Sequence, residues 1–340
     1  YALNNVLQRM GHDVEFIYNG REIPPLTFSM YVKKSISKIA RKILSESMLI
    51  LLKERLGKRT RGKKSSSNDP VVLQLPDYRM LYWLSKLPGY EKCFKMYKCK
   101  NLQWRKVYQF TYEDNNFKMR RIYTHKQYNE VVADTDIFIT GSDQIWNPLL
   151  NNRVDDIYFL NFGYFTHKVS YASSLGNYQL DNEEYNRSII QLLSNYDRVS
   201  TRENSKLLES LINRAVYNVC DPTLLLCKEE WAEKLKLRKR QSKFLLIYAL
   251  TDQDRVIEIA RLISKEKSLP ILFLGKTKRK YSGITCINDA GPKEFVELFY
   301  NAEYVVTNSF HGTAFSINFH KQFVSVKHPK SPERALHILK

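Results

Sequence analysis

Long apolar runs are missing from this chain. Met48–Leu52 is followed at once by Lys53 and Glu54, far short of the roughly 20 residues that a helix needs to cross a bilayer. A secretory leader pattern is missing too. So is an initiator methionine: the chain opens on Tyr1-Ala2-Leu3, which already reads as helix, and closes on Leu339-Lys340. We expect a native N-terminus upstream of Tyr1 and a last helix cut short at Lys340. Cysteine is scarce and scattered. Cys93, Cys99, Cys220, Cys227 and Cys286 are odd in number, and no pair has metal-finger spacing. That argues against a disulfide framework or a structural zinc site, and for free thiols in a reducing, cytoplasmic compartment. Acid is short as well: 35 Asp and Glu stand against 54 Lys and Arg, a net charge of +19. Such an excess implies an anionic partner, whether nucleic acid, lipid or a phosphorylated substrate. The excess is concentrated, with twelve basic residues against two glutamates in Lys33–Lys64. No finger, basic zipper or RNA-binding motif accompanies it, so no specific nucleic acid is expected.

What is present is globular. Hydrophobic residues make up 43% and charged residues 26%, and 340 residues suffice for two domains. Tyr1–Met10 has helical spacing at Leu3, Val6, Leu7 and Met10, stopped by Gly11, and Val14–Tyr18 reads as a buried strand. Ser29–Arg55 reads as a long basic helix or helix pair that can lie on an anionic membrane surface or pack on its own domain. Arg59–Asp69 reads as a Lys/Ser-rich loop, and the aromatic-rich Leu75–Gln103 has no clear period.

From Asp136 the pattern sharpens. Short apolar strands are expected at Asp136–Thr140, Val169–Ala172, Arg198–Thr201 and Val216–Cys220, each followed by small or polar residues, with a helix at Glu183–Ser194. A charged helix, Glu229–Arg240, leads to a second set. Its strands are Phe244–Leu250, Ile271–Leu274, Thr285–Ile287, Tyr304–Thr307 and Phe323–Val326. Its helices are Arg255–Glu266, Lys293–Asn301, Gly312–Phe319 and one beginning at Pro332. The fold class is therefore α/β: two Rossmann-like domains, 1–236 and 243–340, facing across a cleft, with the boundary near Lys234–Ser242. Ligands of open parallel sheets sit at the carboxyl ends of the strands.

Three stretches have the residue types that chemistry needs. GSDQIWNP, Gly141–Pro148, puts Ser142, Asp143, Gln144 and Asn147 at a strand tip with Trp146 as an apolar wall; its glycine allows a tight turn. TNSFHGTAFSI, Thr307–Ile317, runs from a strand through Asn308 and Ser309 to His311, then to a helix opening at Gly312 and Thr313. Amides at such a helix start suit a phosphate or carboxylate, and a histidine beside them can transfer protons near neutral pH. VSTREN, Val199–Asn204, places Arg202 past a strand tip, where a guanidinium can grip an anion or pair with Glu203 or Asp197.

Together these stretches resemble the polysaccharide pyruvyl transferase family. Its patterns DVFIVGSDQVWNP, YAASFG, SVRE, DPTLL and SFHGT are similar to Asp136–Pro148, Tyr171–Gly176, Ser200–Glu203, Asp221–Leu225 and Ser309–Thr313, in that order. Tyr1–Tyr18, with GHDV at Gly11–Val14, also resembles the family's first helix and second strand. A glycine-rich loop ahead of the first helix is not included in this chain, and about 29–105 looks like an insertion. The resemblance implies a fold similar to the glycosyltransferase B type. It also implies transfer of pyruvate from phosphoenolpyruvate to two hydroxyls of one sugar, with no cofactor or metal. On that basis His311 is the expected proton donor or base, and Arg202 with Gly312–Thr313 holds the donor's anionic groups. Arg334 and Lys276 are further anion-binding candidates, while Ser142, Asp143, Gln144, Asn147, Asn308 and Ser309 shape the substrate site. The acceptor is a glycan or lipid-linked sugar, which places the enzyme in the cytoplasm at the inner membrane face. The competing reading is a nucleotide-sugar glycosyltransferase of similar architecture. Such enzymes usually add carboxylates for the nucleotide ribose, and after His311 the sequence has only Glu333.

Overall fold

Runs such as Leu245–Tyr248 and Tyr304–Thr307, apolar on both faces and rich in β-branched or large residues, are suited to strands covered on both sides, which is how parallel sheets are built. A computed structural model describes residues 1–19, 118–122, 130–150, 152–162, 167–275, 281–288, 290–327 and 338–339. The expected basic helix, the Lys/Ser loop, the aromatic-rich stretch, Lys276, Arg334 and the start of the helix at Pro332 all lie outside these.

The chain runs α1 (Ala2–Arg9), β1 (Phe16–Asn19), β2 (Met119–Ile122), β3 (Ile137–Thr140), β4 (His167–Ser170), α2 (Glu183–Leu193), β5 (Val199–Thr201), α3 (Ser205–Ile212), β6 (Val216–Asn218) and α4 (Lys228–Leu235). It continues with β7 (Leu245–Tyr248), α5 (Gln253–Lys267), β8 (Ile271–Leu274), β9 (Ile284–Ile287), α6 (Pro292–Asn301), β10 (Tyr304–Thr307), α7 (Phe310–Asn318) and β11 (Gln322–Ser325). The architecture is α/β with parallel sheets. β3 pairs with β4 and β5 with β6, both in parallel. The parallel bridges Val169–Arg198 and Ser173–Thr201 join β4 to β5, so β3 to β6 lie side by side in chain order. β1 and β2 form a separate parallel pair.

The second sheet has five parallel strands in the order β11-β10-β7-β8-β9. The chain starts at the centre with β7, moves outward through β8 and β9, then crosses back to β10 and β11 on the other side. Between the carboxyl ends of β7 and β10 the winding direction reverses, and a crevice at such a point is where open α/β sheets bind ligands. β10 ends at Thr307, three residues before α7 opens with Phe310 and His311.

Helix ends follow local chemistry. The Asn182 side chain accepts from the Tyr185 amide at 3.0 Å ahead of α2, whose first turn has Glu183 and Glu184. α6 opens on Pro292, and Glu294 reaches back to the Gly291 amide at 2.7 Å. Two boundaries differ from expectation for physical reasons. β4 begins at His167 rather than Val169, because Lys168 is buried and its Nζ donates to the Leu160 carbonyl at 2.8 Å. A lysine satisfied inside hides the strand from any search for apolar runs. The charged helix ends at Leu235, where Lys236 turns left-handed with φ 51°.

One core lies under the first sheet, around Phe138, Trp146, Phe159, Tyr178, Ile189 and Val199. On the second sheet, a core around Leu246, Phe299, Val305 and Phe315 also takes in Ala2, Leu226 and Trp231. Thus α1 and α4, which precede the expected boundary in sequence, pack with the second unit. The Tyr1 ring stacks on Trp231 at 5.6 Å, and Trp231 meets Phe315 edge-on at 5.5 Å.

Candidate active site

Strand ends from both sheets converge on one buried guanidinium. Arg202, just past β5, has a side chain only 1% exposed. Its Nε donates to Glu203 Oε2 at 2.9 Å, its Nη1 to Asp221 Oδ2 at 2.8 Å, and its Nη2 to Asp143 Oδ1 at 2.8 Å. Asp221 follows β6 and Asp143 follows β3. Phe310, on the first turn of α7, lies flat beneath, with its ring centre 4.3 Å from the guanidinium carbon. Burial pushes the Arg202 pKa down, but Glu203, Asp143 and Asp221 together outweigh that and hold it above its ordinary value. The expected role for Arg202 as an open anion grip is therefore not what this geometry presents, since each of its nitrogens already faces a carboxylate. Of the three, Asp143 alone has a well-exposed side chain, at 56%.

His311 meets Arg202 through a shared partner. Its Nε2 is 3.8 Å from Asp221 Oδ2, the same oxygen that accepts from Arg202, and its side chain is 32% exposed. Asp221 Oδ1 is held by the Thr223 amide at 3.0 Å and by the Thr223 hydroxyl at 2.8 Å. The carboxylate is thus fixed from three sides before the imidazole approaches. Glu203 accepts from the Ser174 hydroxyl. Tyr248, the last residue of β7, adds a phenol whose pKa is raised chiefly by burial; Ser309 hydrogen-bonds it and the Asp143 charge acts on it.

The turn before α7 is built differently from expectation. The helix opens at Phe310, not at Gly312, because Ser309 caps it, accepting from the Gly312 amide at 3.4 Å. Thr313 donates its amide to the Ser309 carbonyl at 3.0 Å, and its hydroxyl reaches the same carbonyl at 3.1 Å. The Gly312 and Thr313 amides are committed inside the helix and buried, and do not form the open anion site expected of them. Asn308 is also framework: its Oδ1 accepts from the Leu250 amide at 3.0 Å, and its Nδ2 donates to the Thr251 carbonyl. Together these contacts tie the turn after β10 to the turn after β7 and aim His311 outward.

On the other side of Asp143 lies a cavity of about 270 Å³, walled by residues of the stretch 143–158. Gln144 lines it and accepts from Asn147 Nδ2 at 2.9 Å. Asn147 is buried, and its remaining contacts run to Asn177 and the Leu149 amide. It braces the loop while forming part of the cavity wall. Trp146 is a core residue stacked on Phe159 at 5.1 Å. Ser142 sits half-buried on the same turn. Gly141 permits that turn: at φ 143° any Cβ would collide with the Tyr171 carbonyl.

Asp221 and Tyr248 were given no role in the site from sequence, although Asp221 lies just past β6 and Tyr248 ends β7. Arg153, Asp155 and Tyr158, which also line the cavity, carried no motif signal.

No curated protein matches the chain. Solved structures that resemble it do so distantly. A UDP-GlcNAc 2-epimerase from Methanocaldococcus jannaschii shares 10% identity over 65% of this chain and 77% of that one, with a TM-score of 0.41. An S. aureus MnaA-UDP co-structure shares 12% over 67% and 70%, with a TM-score of 0.43. A UDP-N-acetylglucosamine 2-epimerase from Rickettsia bellii shares 14% over 70% and 84%, with a TM-score of 0.34. These likenesses concern the path of the chain and not its chemistry. A family model, by contrast, matches residues 1–330, nearly the full length, and by that match the chain belongs to the polysaccharide pyruvyl transferase family, transferases whose acceptor is a glycan.

Proposed function

We propose that this protein transfers the pyruvyl group of phosphoenolpyruvate to two hydroxyls of one sugar, in a cell-surface polysaccharide or its precursor. The observation that carries this reading is the Asp221 carboxylate shared by His311 and Arg202 at the switch point of the second sheet. The Asp221 carboxylate, 3.8 Å from Nε2, orients the ring, and a histidine held in this way suits the role of proton donor to the methylene carbon of the enol phosphate. A sugar hydroxyl then attacks the carbon bearing the phosphate. Phosphate leaves with its bridging oxygen, and the second hydroxyl closes the ketal. Two hydroxyl protons are released. One replaces the proton that His311 gave to the new methyl group, and the other leaves on the phosphate. The sequence balances with no oxidant and no further co-reactant.

Arg202 in this reading is a positioning residue, holding Asp221 toward His311 and Asp143 toward the cavity. Lys276 and Arg334 remain our candidates for the donor's phosphate and carboxylate. The basic stretch 33–64 would hold the enzyme against anionic headgroups at the inner face of the membrane, in the cytoplasm, where lipid-linked sugars are assembled. No helix among the described residues is long and apolar enough to cross the bilayer.

The test is phosphate release from phosphoenolpyruvate with a panel of acceptor sugars. His311→Ala should lower turnover by roughly 10²–10⁴-fold, the range for a positioned acid or base, with the melting temperature little changed. Turnover within a few-fold of wild type removes His311 from the mechanism. Stabilisation by uridine diphosphate but not by phosphoenolpyruvate would favour a nucleotide-sugar glycosyltransferase instead.

A further inference from the structure

The cavity beside Asp143 has a charge, a surface and a size that together define its occupant. Asp143 and Asp155 face it against Arg153, and the Arg153 guanidinium is already joined to Asp155 at 3.1 Å. With Arg153 joined to Asp155 and Asp143 to Arg202, the described lining residues leave no cation in surplus to draw in a phosphate or carboxylate, whereas carboxylates readily accept hydrogen bonds from neutral hydroxyls. Tyr158 supplies the apolar surface. Its backbone carbonyl is held by the Thr140 hydroxyl at 2.8 Å and by the Trp146 indole at 3.0 Å, so a ring left 45% exposed stands on an immobile backbone. At about 270 Å³ the cavity falls just below the roughly 300–1,000 Å³ of sites for drug-sized ligands, which is room for one sugar ring and not for a nucleotide sugar.

We propose that this cavity is the acceptor subsite and takes a single neutral pyranoside, with the Tyr158 ring against its apolar face and its hydroxyls toward Asp143 and Asp155. Asp143 belongs both to the cavity wall and to the Arg202 cluster, so a hydroxyl bound to it is held beside the group that handles protons. The donor's anionic groups bind elsewhere. The proposal rests on the pyruvyl transferase reading and narrows it to one subsite.

The test reads binding rather than turnover. Saturation-transfer NMR is recorded on the full chain with the methyl glycosides of glucose, galactose, mannose, N-acetylglucosamine and N-acetylmannosamine. At least one should give a signal that inorganic phosphate does not displace. In Tyr158→Ala that signal should fall by about fivefold, the loss expected for one aromatic contact, while Tyr158→Phe retains it. Tyr158→Leu, which keeps bulk without the ring, makes the same comparison should the alanine variant fail to fold. An unchanged signal in the ring-less variants, displacement by phosphate, or silence from the whole panel on wild type overturns the assignment. Tyr158-dependent glycoside binding without phosphate release from phosphoenolpyruvate would fault the donor reading and leave the cavity's role standing. Phosphate release with glycoside binding indifferent to Tyr158 would do the reverse.

Discussion

Arg202 holds three carboxylates, two of them as deeply buried as itself. Removing one partner of a buried ion pair is costly because the other charge stays behind, out of water. Arg202→Met keeps the aliphatic stem but strands Glu203 and Asp221, and the expected loss is roughly 3–5 kcal/mol of stability, read from the denaturant midpoint. A midpoint equal to wild type would mean that the two acids are not held as charges by this guanidinium. At this scale the sequence was partly legible. His311 and Arg202 each follow a strand end, which is where a polar residue tends to face a ligand. The two were expected in one site; that they meet through Asp221 was not legible, because Asp143, Asp221 and His311 are joined only by folding. Of the setting of Arg202, the pairing with its neighbour Glu203 was legible as an alternative to an anion grip, whereas Asp143 and Asp221, from separate turns, were not.

At the scale of elements, the turn from β10 into α7 is the most tightly determined piece of the site. Gly312 is buried where an added Cβ would run into the Thr307 hydroxyl and come within 3.1 Å of the Tyr248 ring. Gly312→Ala gains up to about 1 kcal/mol of helix propensity, but forcing a methyl into a filled space costs about 1–3 kcal/mol. The clash wins, so the melting temperature should fall; a rise would show that β7 and α7 can part without penalty. Elements were legible in proportion to how purely apolar they are. Ile271–Leu274 and Tyr304–Thr307 read to the residue. β4 did not, because Lys168 is buried within it, and the start of α7 was missed because Ser309, read as a ligand group, is its cap.

Across the whole molecule, the alternation of strands and helices announced parallel sheets, but nothing in it announced that Tyr1 would stack on Trp231 and that α1 and α4 would share a core with the second sheet. Contacts between residues so far apart leave no local period to read. The net charge of +19 also belongs to this scale. If the stretch 33–64 serves a membrane surface, a chain without residues 35–64 should sediment less with anionic vesicles, and added salt should abolish the difference, since attraction beyond a Debye length of about 10 Å is screened at 0.1 M. Equal sedimentation of both chains would end that role. The cavity has a consequence of its own. Its wall comes from one unbroken stretch, 143–158, while the proton-handling group is assembled from turns across both sheets. Acceptor choice can therefore be rewritten by exchanging 144–158 as a single cassette, with Asp143 and the rest of the reaction centre left as they are.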